Sequence, residues 1–169
     1  VMIFPEAYYK TDAPYVQMFQ DAGFEIRYPE DPTFTRGLHS EEETIEVIAG
    51  VDATVAGGEH YTPRVIESLP QLKVIARAGV GFDRVNVEAA SAHQVAVTVT
   101  PTSNHESVAE LTLALLFAVT KRIVVNDRAV RSGEWPTDLL MPIRGQTFGI
   151  LGLGRIGRST AVRARALGM

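Results

Sequence analysis

The chain has 169 residues, 46% of them hydrophobic and 21% charged, which excludes a disordered tail or a fibre and fits a globular protein with a sizeable core. It has no cysteine, so disulfides, Cys-based zinc sites and thiol catalysis are excluded together. The net charge of −4 hides an asymmetry, because residues 1–110 are acidic and residues 111–169 basic; a nucleic-acid partner is not expected, and the basic surplus suits a phosphate-bearing cofactor or a solvated helix face.

In chain order, Val1–Phe4 is a strand candidate carrying neither a signal-peptide pattern nor a leader charge pattern. Asp12 as N-cap with Ala13 and Pro14 opens a helix that Gly23 closes, and Phe24–Tyr28 is a second strand. Ser40 and Glu43 form a capping-box pattern for a helix to about Gly50, leaving Glu41, Glu42 and Glu43 as a solvated helix start. Ala53–Ala56 is a third strand. Thr62-Pro63 starts the next helix, Lys73–Arg77 is a fourth strand, Asn86–His93 a short helix and Val95–Val99 a fifth strand. The apolar runs are short and nearly continuous, as in strands covered on both faces. Strict β-α alternation predicts a doubly wound parallel α/β sheet, flavodoxin-like, whose ligands bind at the carboxyl ends of the strands.

After Pro101 the pattern changes. Glu106–Arg122 reads as one long helix, apolar nearly all round and therefore expected to be buried. Its longest apolar stretch, Leu111–Val119, is far short of the ~20 residues of a membrane span. Ser103 or Ser107 is placed to cap it, with Asn104 and His105 ahead of its start. Val124–Ser132 is a second helix, Trp135–Gln146 is irregular, and Thr147–Leu151 is a strand leading through a glycine-rich turn into a helix ending near Leu167. We expect a domain of residues 1–101, then residues 102–169 as connecting helices and the first βα unit of an incomplete Rossmann domain.

Gly152-Leu-Gly-Arg-Ile-Gly157 is a G-x-G-x-x-G in the strand-to-helix context that the dinucleotide motif requires. Gly152 suits a tight turn, Gly154 lets a pyrophosphate approach the backbone, and Gly157 lets helix and strand pack closely. Arg155 and Arg158 place positive charge in the helix's first turn, where an anionic ligand would account for them. The alternative is a glycine-rich turn with no ligand. The acidic or basic residue that separates NAD from NADP falls about 20 positions on, past Met169, so the sequence reads as the N-terminal half of a longer protein. Arg77-Ala-Gly-Val-Gly-Phe-Asp83 is a second glycine site, either an anion-binding nest or an empty βα turn. His60 and His93 have no ligand partner at a metal spacing, and Arg163 and Arg165 suit a helix C-terminus.

Leu72–Asp83, Val108-Ala-Glu-Leu and Gly149–Gly157 together closely resemble the D-2-hydroxyacid dehydrogenases, nearest to the phosphoglycerate dehydrogenase-like branch. The resemblance implies a cytoplasmic, homodimeric oxidoreductase. A substrate-binding domain would precede an NAD-binding Rossmann domain, with NADP left open, and the active site would be the cleft between them. It implies substrate contacts from Val80, Gly81 and Asn104, and cofactor contacts from Val80, Gly152, Gly154, Arg155, Ile156 and Gly157. The substrate would be a small 2-hydroxy or 2-keto acid, with neither nucleic acid nor membrane as partner and no metal. No catalytic residue is assigned: the family's histidine, glutamate and arginine would follow Met169. Phosphoglycerate-specific members carry an Arg-Ser pair where this chain has Ala56-Gly57-Gly58-Glu59, with no arginine and an added acid, Glu59, at the expected phosphate end; its like charge would oppose a phosphate, which favours hydroxypyruvate or glyoxylate. A non-catalytic NAD(H)-sensing, corepressor-like protein on the same scaffold is the competing reading, and a small interaction domain pairing through residues 106–122 is a third.

Overall fold

A computed structural model describes all residues 1–169, which form two compact units, Val1–Thr102 and Ser103–Met169. The first unit holds β1 (Met2–Ile3), α1 (Pro14–Asp21), a 3-10 helix at Pro32–Arg36, α2 (Glu41–Ile48), β2 (Ala53–Ala56), α3 (Pro63–Glu67), β3 (Val74–Arg77), α4 (Val87–Ala92) and β4 (Ala96–Thr98). The strands make one sheet in the order β1-β2-β3-β4, every pair parallel, with Met2 opposite Thr54, Ala56 opposite Arg77 and Ile75 opposite Val97.

The sheet has four strands, where the sequence predicts five. Phe24–Tyr28 contributes only a parallel bridge between Arg27 and Met2, with the Ile3 N–H donating to Arg27 O (2.9 Å) and the Arg27 N–H to Val1 O (2.8 Å). Its neighbour β1 is too short to extend the ladder, because Pro5 follows at once and has no N–H to donate. The bridge lies across β1 from β2, so the spatial order remains that of flavodoxin-like sheets.

Burial along β2 alternates: Thr54 and Ala56 are buried, Ala53 and Val55 half-buried. On the sealed face Met2, Phe4, Ala56 and Ile75 pack with Ile48 of α2, Val65 and Ile66 of α3 and Ala90 of α4. The other face is only half-covered, and α1 buries none of its residues fully. The sequence therefore overstates how completely both faces are sealed.

Local chemistry explains the helix starts. Ser40 Oγ accepts from the Glu43 N–H while Glu43 Oε2 accepts from the Ser40 N–H, a complete capping box. Thr62 Oγ1 accepts from the Val65 N–H ahead of Pro63, and Asn86 Oδ1 from the Ala89 N–H. Asp12 does not cap α1: the N-cap is Ala13, one residue on, and Pro14 sets the first helical φ without side-chain help. The triple glutamate is more than a solvated start, since Arg64 of α3 pairs with Glu41 (3.4 Å) and Glu42 (2.5 Å).

The second unit holds α5 (His105–Thr120), α6 (Ile123–Arg131) and α7 (Arg155–Ala166), with α5 packed on both others. Arg122, in the left-handed region at φ +50, separates α5 from α6. The expected burial of α5 is not realised within these residues. Only Ala109 is buried, and Leu115 and Val119 are 58% and 76% exposed. Thr147–Leu151 is not a strand: the unit offers no second strand to pair with it.

Candidate functional site

Three loops carry the residues singled out in the sequence. The first unit supplies the turns after β2 and β3, which lie side by side: Arg77 is opposite Ala56, and the Ala78 N–H donates to Ala56 O (2.9 Å). Beyond β3, Val80 is half-buried and Gly81 exposed. Their amides take no part in the hydrogen bonds of the sheet or its turns, so both remain available to an anion. Arg77 shapes this loop from below, its Nε–H donating to Gly81 O (3.0 Å).

The turn after β2 differs from its expected role. Glu59, read from the sequence as an added acid facing substrate, is 1% exposed and folded inward. Its Oε2 accepts from the Gly57 N–H (2.7 Å). The Gly58 N–H donates to Thr35 O (2.8 Å), and Arg84 Nη1 donates to Gly58 O (2.5 Å). Burial pushes the Glu59 carboxyl above its usual range, against the opposing pull of these hydrogen bonds and of Arg77. Beneath it Tyr61 is wholly buried, its hydroxyl bonded to Thr54 Oγ1 (3.0 Å) and its pKa raised by burial. His60 shares its Nε2 with Arg84 Nη1 (3.1 Å), and His93 ends α4, its ring nitrogen on Ala89 O.

In the second unit the glycine turn opens α7 directly. Gly152 sits at φ +93, a conformation that a side chain would strain. A Cβ on Gly157 would lie 2.1 Å from Gly152 O, so this glycine sets the closeness of helix and turn. Gly154, the N-cap, has no heavy atom within 4 Å of a Cβ position and leaves an open approach to the helix start. Arg155 and Ile156 follow as the first helical residues, both exposed. Arg158 is less free than expected, because its Nε–H donates back to Leu153 O (3.0 Å).

Neither Ser103 nor Ser107 occupies the N-cap of α5. That position is Asn104, whose side chain makes no capping bond, and His105 begins the helix. Sequence reasoning also missed a polar tie between α5 and α7. Glu106 Oε2 accepts from Arg163 Nη2 (2.5 Å) and from Ser159 Oγ (2.9 Å), and its Oε1 lies 3.2 Å from His105 Nε2. The Arg163 and Ser159 bonds hold the Glu106 carboxyl below its usual range. Arg163 thus joins two helices rather than only complementing a helix dipole. The pair is 57 positions apart, and no local pattern announces it.

A parallel α/β sheet, followed in the chain by a glycine-rich turn that opens a helix, places the chain in the doubly wound α/β class. The family profile described as "D-isomer specific 2-hydroxyacid dehydrogenase, catalytic domain" matches residues 7–164, and the chain belongs to that family. It is 41% identical over 133 residues to a D-3-phosphoglycerate dehydrogenase of Methanocaldococcus jannaschii, covering 77% of this chain and 25% of the relative. It is 38% identical over 135 residues to a glyoxylate reductase of Thermococcus litoralis, covering 74% of this chain and 41% of the relative. Among solved structures, an acyclic imino acid reductase in complex with NADPH and D-Arg superposes with a TM-score of 0.80 at 26% identity, covering 100% of this chain and 54% of that one. The chain thus spans from a quarter to about half the length of these relatives.

Proposed function

We propose that this chain contributes the substrate-binding domain, residues 1–101, and the opening of the cofactor-binding domain, residues 102–169, to a nicotinamide-dependent oxidoreductase acting on the CH–OH group of a D-2-hydroxy acid. The observation that carries this reading is the Gly152–Gly157 turn, whose open face at Gly154 leads onto the N-terminus of a 12-residue helix. Unpaired N–H groups and the helix dipole suit a pyrophosphate there, with Arg155 adding charge. A bound nicotinamide would supply or accept the hydride at substrate C2. NAD is the cofactor we favour, although the imino acid reductase relative holds NADPH.

In the same reading the Val80 and Gly81 amides hold the substrate carboxylate, Val80 also borders the cofactor, and Asn104 contributes an uncommitted side-chain amide. No residue of this chain is assigned as proton donor, so residues 1–169 alone are expected to be inactive.

The substrate is a non-phosphorylated 2-keto acid such as glyoxylate or hydroxypyruvate. The reason is the set of groups available after β2. The Gly57 and Gly58 N–H groups are already bonded, Glu59 points inward, and Arg84 is engaged with Gly58 O. A phosphate would find neither glycine N–H free at this turn, so part of its hydration would be lost without replacement. Steady-state assays of the complete gene product test this. The kcat/KM for glyoxylate or hydroxypyruvate should exceed that for 3-phosphohydroxypyruvate, and the reverse order would overturn the assignment.

A further inference from the structure

Just past the carboxyl end of β2 and at that of β3, two residues of opposite formal charge each have one buried atom without a hydrogen-bond partner, Glu59 Oε1 and Arg77 Nη1, and the β2–β3 register sets Arg77 opposite Ala56. Each is also tied to a turn, Glu59 Oε2 accepting from the Gly57 N–H and Arg77 Nε–H donating to Gly81 O. Buried ionic groups seldom add net stability over apolar residues of the same size, and buried atoms without partners are costly. The arrangement therefore calls for a role other than holding the core together.

We propose that Arg77 is a positioning residue for substrate binding, with Glu59 as its counter-charge, and that together they fix the 78–81 loop so that the Val80 and Gly81 amides stay presented to a carboxylate. This rests on the function proposed above. The guanidinium is suited to the task because it is planar and donates from several fixed directions, and one edge grips the Gly81 carbonyl. A lysine keeps the charge but loses that directed Nε–H bond. Glu59→Gln keeps the size and an acceptor for Gly57 but removes the counter-charge. The register of Ala56 with Arg77 couples the two turns, so movement in one is felt in the other. Neither residue is placed in contact with substrate, and both act through the loop.

The test uses the complete gene product with two readouts, steady-state kinetics and amide hydrogen exchange. Arg77→Lys should raise KM for the 2-keto acid about tenfold, with kcat and the cofactor KM nearly unchanged. The peptide spanning residues 78–83 should exchange about tenfold faster, and the β2 peptide should keep its protection. Glu59→Gln should move both readouts in the same direction by a smaller factor, and Glu59→Gln/Arg77→Lys should be no worse than Arg77→Lys alone. An unchanged substrate KM with unchanged loop exchange would overturn the proposal, as would a fall confined to kcat. If Arg77→Lys does not fold, Glu59→Gln decides by the same criteria. If the parent turns over no 2-keto acid, the proposed function fails separately, and loop exchange in the variants still decides whether the pair positions the loop.

Discussion

Substituting alanine at two glycines of one turn should separate folding from cofactor binding. At Gly157 the added methyl would sit 2.1 Å from Gly152 O and 3.2 Å from its carbonyl carbon. Both are backbone atoms of a turn held at φ +93, so the clash cannot be relieved by a side-chain rotation. Overpacking of this kind costs about 1–3 kcal/mol. Because the 2.1 Å contact is with backbone, the cost falls in the upper part of that range, about 2–3 kcal/mol, and the roughly 1 kcal/mol recovered by replacing a helical glycine with alanine leaves a net loss of about 1–2 kcal/mol. At Gly154 the methyl meets no protein atom, and φ −75, ψ −161 is open to alanine. There the modest preference for glycine over alanine at an N-cap opposes a gain of about 0.4–1 kcal/mol from the stiffer unfolded chain, so the net is within about 0.5 kcal/mol of zero. Yet this is the face a pyrophosphate would approach, and a methyl there should weaken cofactor binding by about tenfold or more.

Urea unfolding followed by circular dichroism reads the first effect, and quenching or enhancement of NADH fluorescence on the complete gene product reads the second. Gly157→Ala should lower the urea midpoint by roughly 0.5–1 M, while Gly154→Ala leaves it nearly in place and loses affinity. A Gly154→Ala protein that binds NADH and NADPH as well as the parent would refute the assignment of this turn. A neutral Gly157→Ala would refute the claim that glycine sets the approach of helix and turn.

Three further outcomes are expected. Burial raises the Glu59 pKa, so its contribution to stability is full below the ordinary carboxylate range and is lost as pH rises through the raised value; the melting temperature of Glu59→Gln should gain on the parent as pH rises from the ordinary carboxylate range, and a gap that narrows or reverses would contradict its burial. Tyr61→Phe removes a buried hydroxyl and leaves Thr54 Oγ1 without that partner, costing about 1 kcal/mol in urea unfolding, whereas a neutral result would mean that the bond is not formed. Glu106 has the opposite sign: its lowered pKa gives a contribution present above the ordinary carboxylate range and lost as pH falls through the lowered value, so Glu106→Gln should destabilise at neutral pH and converge on the parent in acid, with a pH-independent difference as the contrary result.

What could be read from the sequence was chiefly local. Ser40 with Glu43, Thr62 with Pro63 and Asn86 each announce a helix start because the capping acceptor lies three residues from the N–H it receives. The glycine turn was legible for the same reason, since its tight φ and its close contact both arise within six residues. The strand at Phe24–Tyr28 was overestimated because its composition fits a strand while its pairing depends on β1, which Pro5 cuts short. Thr147–Leu151 failed similarly, for a strand is defined by a neighbour and not by its own residues. The Glu106–Arg163 tie was invisible because it joins side chains across two helices far apart in the chain.

Glu59 gives the proposed substrate preference a different physical basis in the fold from the one read in the sequence. From the sequence, an acid after β2 disfavours phosphate by charge repulsion. In the fold, the carboxylate turns away from any ligand and accepts from the Gly57 N–H. What it withholds from a phosphate is therefore a hydrogen-bond donor. This difference changes what substitution at the site can achieve. Were repulsion the cause, neutralising Glu59 would by itself admit phosphate. With both glycine N–H groups already engaged, Glu59→Gln keeps an acceptor on Gly57 and should leave phosphate discrimination in place, while Arg84 Nη1 stays bound to Gly58 O. In that reading, a direct route to a phosphorylated substrate is a new donor at position 57 or 58. Position 57 already sits where a Cβ would meet Thr35 Oγ1 at 1.7 Å, so a side chain there must displace Thr35 first. In the proposed function, the compactness of this turn, more than its charge, is what disfavours a phosphate.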